Sequence, residues 1–64
     1  MKNYTVIDST SKNLLGKNFS VDLTSGSSYI ISTIHPTMSF RLVSNENGVI
    51  VLLNSNLKII GKQI

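Results

Sequence analysis

Apolar and polar residues alternate with a period of two along most of the chain, the spacing of strands half-buried against a core. In KNYTVID, Tyr4 and Val6 share one face while Thr5 and Ile7 share the other. From Lys17 to Leu23, Phe19, Val21 and Leu23 point one way and Asn18, Ser20 and Asp22 the other. Ser28 to His35 reads as a third strand with two mixed faces: Ile30, Ser32 and Ile34 against Tyr29, Ile31, Thr33 and His35. A strand with no wet face is expected at the centre of a sheet or at a contact. Pro36 lacks an amide donor and ends the pairing or marks an edge.

The clearest signal is Asn47-Gly48 between the apolar-rich runs of Met38–Leu53, because both residues tolerate the positive φ of a tight hairpin turn. A two-residue loop pairs Glu46 with Val49, Ser44 with Val51 and Leu42 with Leu53. A four-residue loop pairs Ser44 with Val49, Leu42 with Val51 and Phe40 with Leu53. Both registers gather Phe40, Leu42, Val49, Val51 and Leu53 on one face, which is therefore the expected core. The opposite face carries Arg41, Val43, Ile50, Leu52 and Asn54.

Turn chemistry separates these runs. Asp8–Asn13 and Thr24–Ser27 are rich in residues whose side chains bond their own backbone, and Gly16 suits a bend or bulge. Asn54-Ser55-Asn56 reads as a short polar link with room for one turn of 3₁₀ helix. Leu57, Ile59 and Ile60 form a short closing strand, and Gly61–Ile64 a tail that frays unless Ile64 docks. The pattern predicts an all-β domain over residues 1–64, a small barrel of five to six short antiparallel strands.

Composition sharpens this picture by exclusion. The chain has 64 residues and no cysteine, so neither a disulfide nor a thiolate metal site supports its core. A core of this size supplies about 3–5 kcal/mol, which makes self-association, in its commonest form a symmetric dimer, an expectation. Six basic residues face three acidic ones, and the basic residues are scattered. The longest apolar run, Val49 to Leu53, is far too short to span a membrane, and the N-terminal stretch has no apolar core of a leader. A cytoplasmic location is the default expectation.

Four segments carry a family likeness: Tyr4-Thr5-Val6-Ile7-Asp8, Leu15-Gly16-Lys17-Asn18-Phe19-Ser20-Val21, Phe40–Gly48, and Leu57-Lys58-Ile59-Ile60. In this order they resemble a bacterial SH3-like barrel of the kind found in very small phage and prophage proteins. The resemblance implies a first strand, a G-K-x-aromatic-x-V strand, a distal hairpin and a short link into the last strand. It also implies a phage or mobile-element source, in keeping with the asparagine, lysine, serine and isoleucine bias. The tryptophan of polyproline-binding grooves is missing, so that activity is not implied.

Residues able to do chemistry are few. His35 is the only histidine, and Asp8, Asp22 and Glu46 are widely spaced, so no acid–base pair, triad or metal cluster is spelled out. The glycines belong to turns and precede no helix that would orient amides on a phosphate. A non-enzymatic binding module without cofactors is the expectation, in two forms. In the first, Ile31, Val43, Ile50 and Leu52, apolar residues on second faces, dock on a host or partner protein. In the second, Arg41, Tyr29, His35, Lys17 and Lys58 form a basic and aromatic site that sequesters an anionic nucleotide or nucleic acid.

Overall fold

A computed structural model describes residues 1–24 and 28–64 of the chain. Its strands are β1 (Lys2–Ser9), β2 (Asn18–Val21), β3 (Ser28–Ile30), β4 (Ser39–Glu46), β5 (Val49–Leu53) and β6 (Lys58–Gln63), with one 3₁₀ turn over Lys12–Leu14. All pairings are antiparallel, in the order β2-β1-β6-β5-β4-β3. The sheet curls into a half-barrel. The radius of gyration is 10.3 Å, at the compact limit of about 10.7 Å for this length, so the sheet wraps its own core.

The hairpin turn is the two-residue one. Asn47 (φ 54°) and Gly48 (φ 78°) both occupy the left-handed region, and Glu46 pairs with Val49 and Ser44 with Val51. Beyond Ser44 the register slips. Val43 is an extra residue, so Leu42 faces Leu52 and Arg41 faces Leu53. This bulge corrects the expected core face. One inserted residue inverts the parity of everything beyond it, so Phe40 and Leu42 share a face with Ile50 and Leu52, not with Val49, Val51 and Leu53. Phe40, Ile50 and Leu52 are fully buried, whereas Val49, Val51 and Leu53 are only half-buried.

A second bulge lies in β1. Val6 pairs with Gly61 and Asp8 with Ile60, leaving Ile7 as the inserted residue. The two bulges sharpen the local twist and help the sheet curl. The core comprises Tyr4, Val6, Phe19, Val21, Tyr29, Ile31, Phe40, Ile50, Leu52 and Ile59, with the Tyr4 and Phe19 rings stacked at 5.6 Å. Gly61 lies under Phe19, where a Cβ would approach Phe19 Cζ to 2.8 Å.

Three further expectations are corrected. The strand drawn from Ser28 to His35 stops at Ile30, because the amides of Ile34 and His35 both donate to the Ile31 carbonyl and turn the chain. It is an edge strand, not a central one. The supposed tail from Gly61 belongs to β6, whose residues up to Gln63 pair with β1 and whose residues up to Lys62 pair with β5. The 54–56 link is held by Asn54, whose Oδ1 accepts from the Asn56 amide; the 3₁₀ turn forms instead at Lys12–Leu14. The turn expected over Thr24–Ser27 is described only at Thr24, since Ser25, Gly26 and Ser27 lie outside the described residues.

Candidate docking face and open seam

Cross-strand register sorts the outward-facing residues into rows. One runs Arg41–Leu53–Lys58, and the Lys58 backbone continues it by hydrogen bonds to Thr10. The next runs Ser44–Val51–Ile60–Asp8, and a third Glu46–Val49–Lys62–Thr5. Each bulge adds a β-branched residue at an end of the middle row, Val43 beside Ser44 and Ile7 beside Asp8, each 50% exposed. An apolar band thus crosses the convex face from Val43 through Val51 and Ile60 to Ile7, widened by Leu53 and Val49. Arg41, Lys58 and Lys62 border it, together with the acids Glu46 and Asp8.

The expected interface residues divide sharply. Ile31, Ile50 and Leu52 are core residues and offer nothing to a partner; Val43 alone of that set is exposed. The reason is the bulge at Val43, which turns the even-numbered residues of β5 inward. Val51 and Ile60 take their place on the surface beside Ile7; period two alone already sets Ile7 opposite Tyr4 and Val6, but it cannot place Val51 without the insertion at Val43.

The expected ligand set does not converge. Tyr29 is buried, and its hydroxyl donates to the Leu23 carbonyl at 3.4 Å, so its ring cannot stack on a base. His35 is half-buried in the turn after Ile31, with Nδ1 shielded from solvent and no hydrogen-bond partner among the described residues. Lys17 precedes β2, at the far side of the sheet from β4. Arg41 and Lys58 do meet, as flanking neighbours of Leu53 on the same face. Neighbouring strands are about 4.8 Å apart, so their backbones lie about 10 Å from one another, within reach of one shared anion. A hollow of about 540 Å³ opens beside Arg41, lined also by Ser28, Met38, Leu53 and Asn54.

A separate cleft of about 510 Å³ lies between the terminal strands β2 and β3, bordered by Asn18, Phe19, Ser20 and Ile30. Among the described residues no group of three or more His, Cys, Asp or Glu side chains is placed to hold a metal ion. No helix among them is long and apolar enough to cross a membrane. The one resolved pKa shift is at Asp22, held below its ordinary value of 3.8 by the Thr24 hydroxyl (2.6 Å) and the Thr24 amide (3.0 Å). That contact shapes the turn after β2.

Comparison with known protein families, curated proteins and solved structures returned no match.

Proposed function

We propose that this chain is a non-enzymatic binding module that docks on a partner protein through the convex face of its sheet. The observation that carries the reading is the band Val43–Val51–Ile60–Ile7. Two independent bulges each add a half-exposed β-branched residue to it, where a sheet face turned to solvent ordinarily carries polar ones. Arg41, Lys58 and Lys62 at its borders favour a partner face that carries carboxylates around an apolar centre.

The test compares partner capture by the native protein and by Val43→Asp and Ile7→Asp. Both positions are exposed, so both variants keep the native circular dichroism spectrum and lose capture at least tenfold. A variant that stays folded and still captures the same partner overturns the reading. Binding through this band weakens only modestly between low and high salt, since most of the contact is apolar.

A second reading has its own observation: Arg41 and Lys58 border Leu53, and Arg41 and Leu53 line a hollow large enough for a nucleotide. Here the chain sequesters an anionic ligand, Arg41→Ala abolishes capture, and affinity falls steeply with salt. Salt dependence and the Arg41→Ala and Val43→Asp variants separate the two readings.

A further inference from the structure

The sheet is left open between β2 and β3, and the direction of the β2 backbone groups there follows from one hydrogen bond. The Val6 amide donates to the Lys17 carbonyl at 2.9 Å, and β1 and β2 continue in the same register through Thr5–Asn18, Tyr4–Phe19 and Asn3–Ser20. Antiparallel pairs alternate between exchanging backbone hydrogen bonds and turning them away. Lys17 and Phe19 therefore bond toward β1, and the N–H and C=O groups of Asn18 and Ser20 point away from it, toward the cleft.

Three observations describe what would fit. Of the large apolar side chains that remain exposed, Met1, Ile30 (61% exposed) and Ile64 line this one cleft. Among the described residues no charged side chain lines it; its polar residues are Asn3, Asn18, Ser20, Ser32 and Thr33. β2 (NFSV) also has none of the lysine, proline or free-edge bulge with which natural edge strands repel pairing. The outward Asn18 and Ser20 side chains are occupied locally: Thr5 Oγ1 donates to Asn18 Oδ1 at 2.6 Å, and the Ser20 hydroxyl donates to Asn3 Oδ1.

We propose that the cleft between β2 and β3 receives an extended, uncharged peptide segment of a partner protein, which adds as a strand to the open edge of β2. Main-chain groups of the segment bond Asn18 and Ser20, and alternate side chains rest on Ile30 and its apolar neighbours. No described side chain of the lining offers a counter-charge to a charged residue in the segment, so neutral residues are favoured. A second copy is the poorer occupant. Its own two free edges, β2 and β3, face each other across its own cleft and not outward to a twin. This site is distinct from the convex face and stands or falls apart from it.

The test begins with selection of linear octapeptides from a random displayed library on the folded protein. The best peptide is then synthesised and measured by fluorescence anisotropy and amide exchange. Enriched peptides are expected to be uncharged with alternating apolar residues, and binding should slow exchange of the Asn18 and Ser20 amides at least tenfold. N-methylation along the peptide should cost tenfold or more at every second position and little between. Ile30→Asp lowers affinity at least tenfold without changing the fold. Ser20→Pro does so by removing an amide that the β1–β2 ladder does not use. Should Ser20→Pro not fold, Ile30→Asp and the N-methyl series still decide. No enrichment, uniform sensitivity to N-methylation, or protection confined to other strands would each overturn the proposal. So would sedimentation as a dimer with Asn18 and Ser20 protected before any peptide is added.

Discussion

β6 and β3 are opposite cases of strand-making in one sheet. β6 spans six residues, pairs with β1 on one side and β5 on the other, and brings Ile59 and Gly61 into the most crowded part of the core. β3 spans three residues and pairs with β4. Alternate positions turn inward in both, Ile59 and Gly61 in β6 and Tyr29 in β3 with Ile31 just beyond it, so inward packing does not distinguish them. Lateral bonding does. The closed side is set by neighbours on two flanks, and the seam by neighbours on one, which leaves the seam able to accept a strand and the closed side able only to hold the fold.

The comparison breaks most completely if the closed side is emptied. Phe40→Ala should cost about 3–5 kcal/mol, comparable to all that a core of this size supplies, and urea melts should show a largely unfolded chain. Gly61→Ala should cost about 1–3 kcal/mol, because its Cβ meets the Phe19 ring at 2.8 Å and the ring is pinned between Tyr4 and the β6 backbone. A melt unchanged by Gly61→Ala would mean that Phe19 has room to move. Gly48→Ala, at φ 78°, should cost about 1–2 kcal/mol and leave the β4–β5 register intact in amide-to-amide NMR contacts.

A subtler measurement sharpens the contrast. Native-state hydrogen exchange should rank β5 and β6 amides slowest and β3 at least tenfold faster, since an edge opens without dismantling the core. Equal protection in β3 and β6 would erase the difference on which the seam rests.

The smallest effect belongs to Asp22. Its folded pKa is depressed by Thr24, so the carboxylate contributes stability above the ordinary value of 3.8 and loses it as pH falls through the lower folded value. Asp22→Asn should therefore melt slightly below the native protein at pH 6, and the gap should narrow as pH falls below the ordinary value of 3.8. A gap that stays constant with pH would assign the effect to the turn's geometry and not to charge.

Much of the fold was legible from local rules. The Asn47-Gly48 turn, the inward Tyr4, Val6, Phe19 and Val21, and the all-β class follow from positive-φ tolerance and period two. The candidate face was not legible, because period two counted from the Asn47-Gly48 turn sets Ile50 and Leu52 outside and Val51 inside. The local pattern there, VIVLL, is apolar at every position, so nothing in it marks one parity as inward. Gly61 reads as a chain breaker, which hides Lys62 as a strand residue, although lack of a side chain is what admits Gly61 beneath Phe19.

By itself, then, the order of residues determined the all-β class, the alternation that turns Tyr4, Val6, Phe19 and Val21 inward, and where the tight hairpin turns. Those properties depend on each residue and its near neighbours. Only the tertiary structure decided which side of β5 faces the core, which lysines share a face with Arg41, and that β2 and β3 leave a seam between them. Each depends on a bulge or a strand neighbour distant in the chain: one extra residue at Val43 or Ile7 reverses the parity beyond it, and its position is chosen by packing across the sheet.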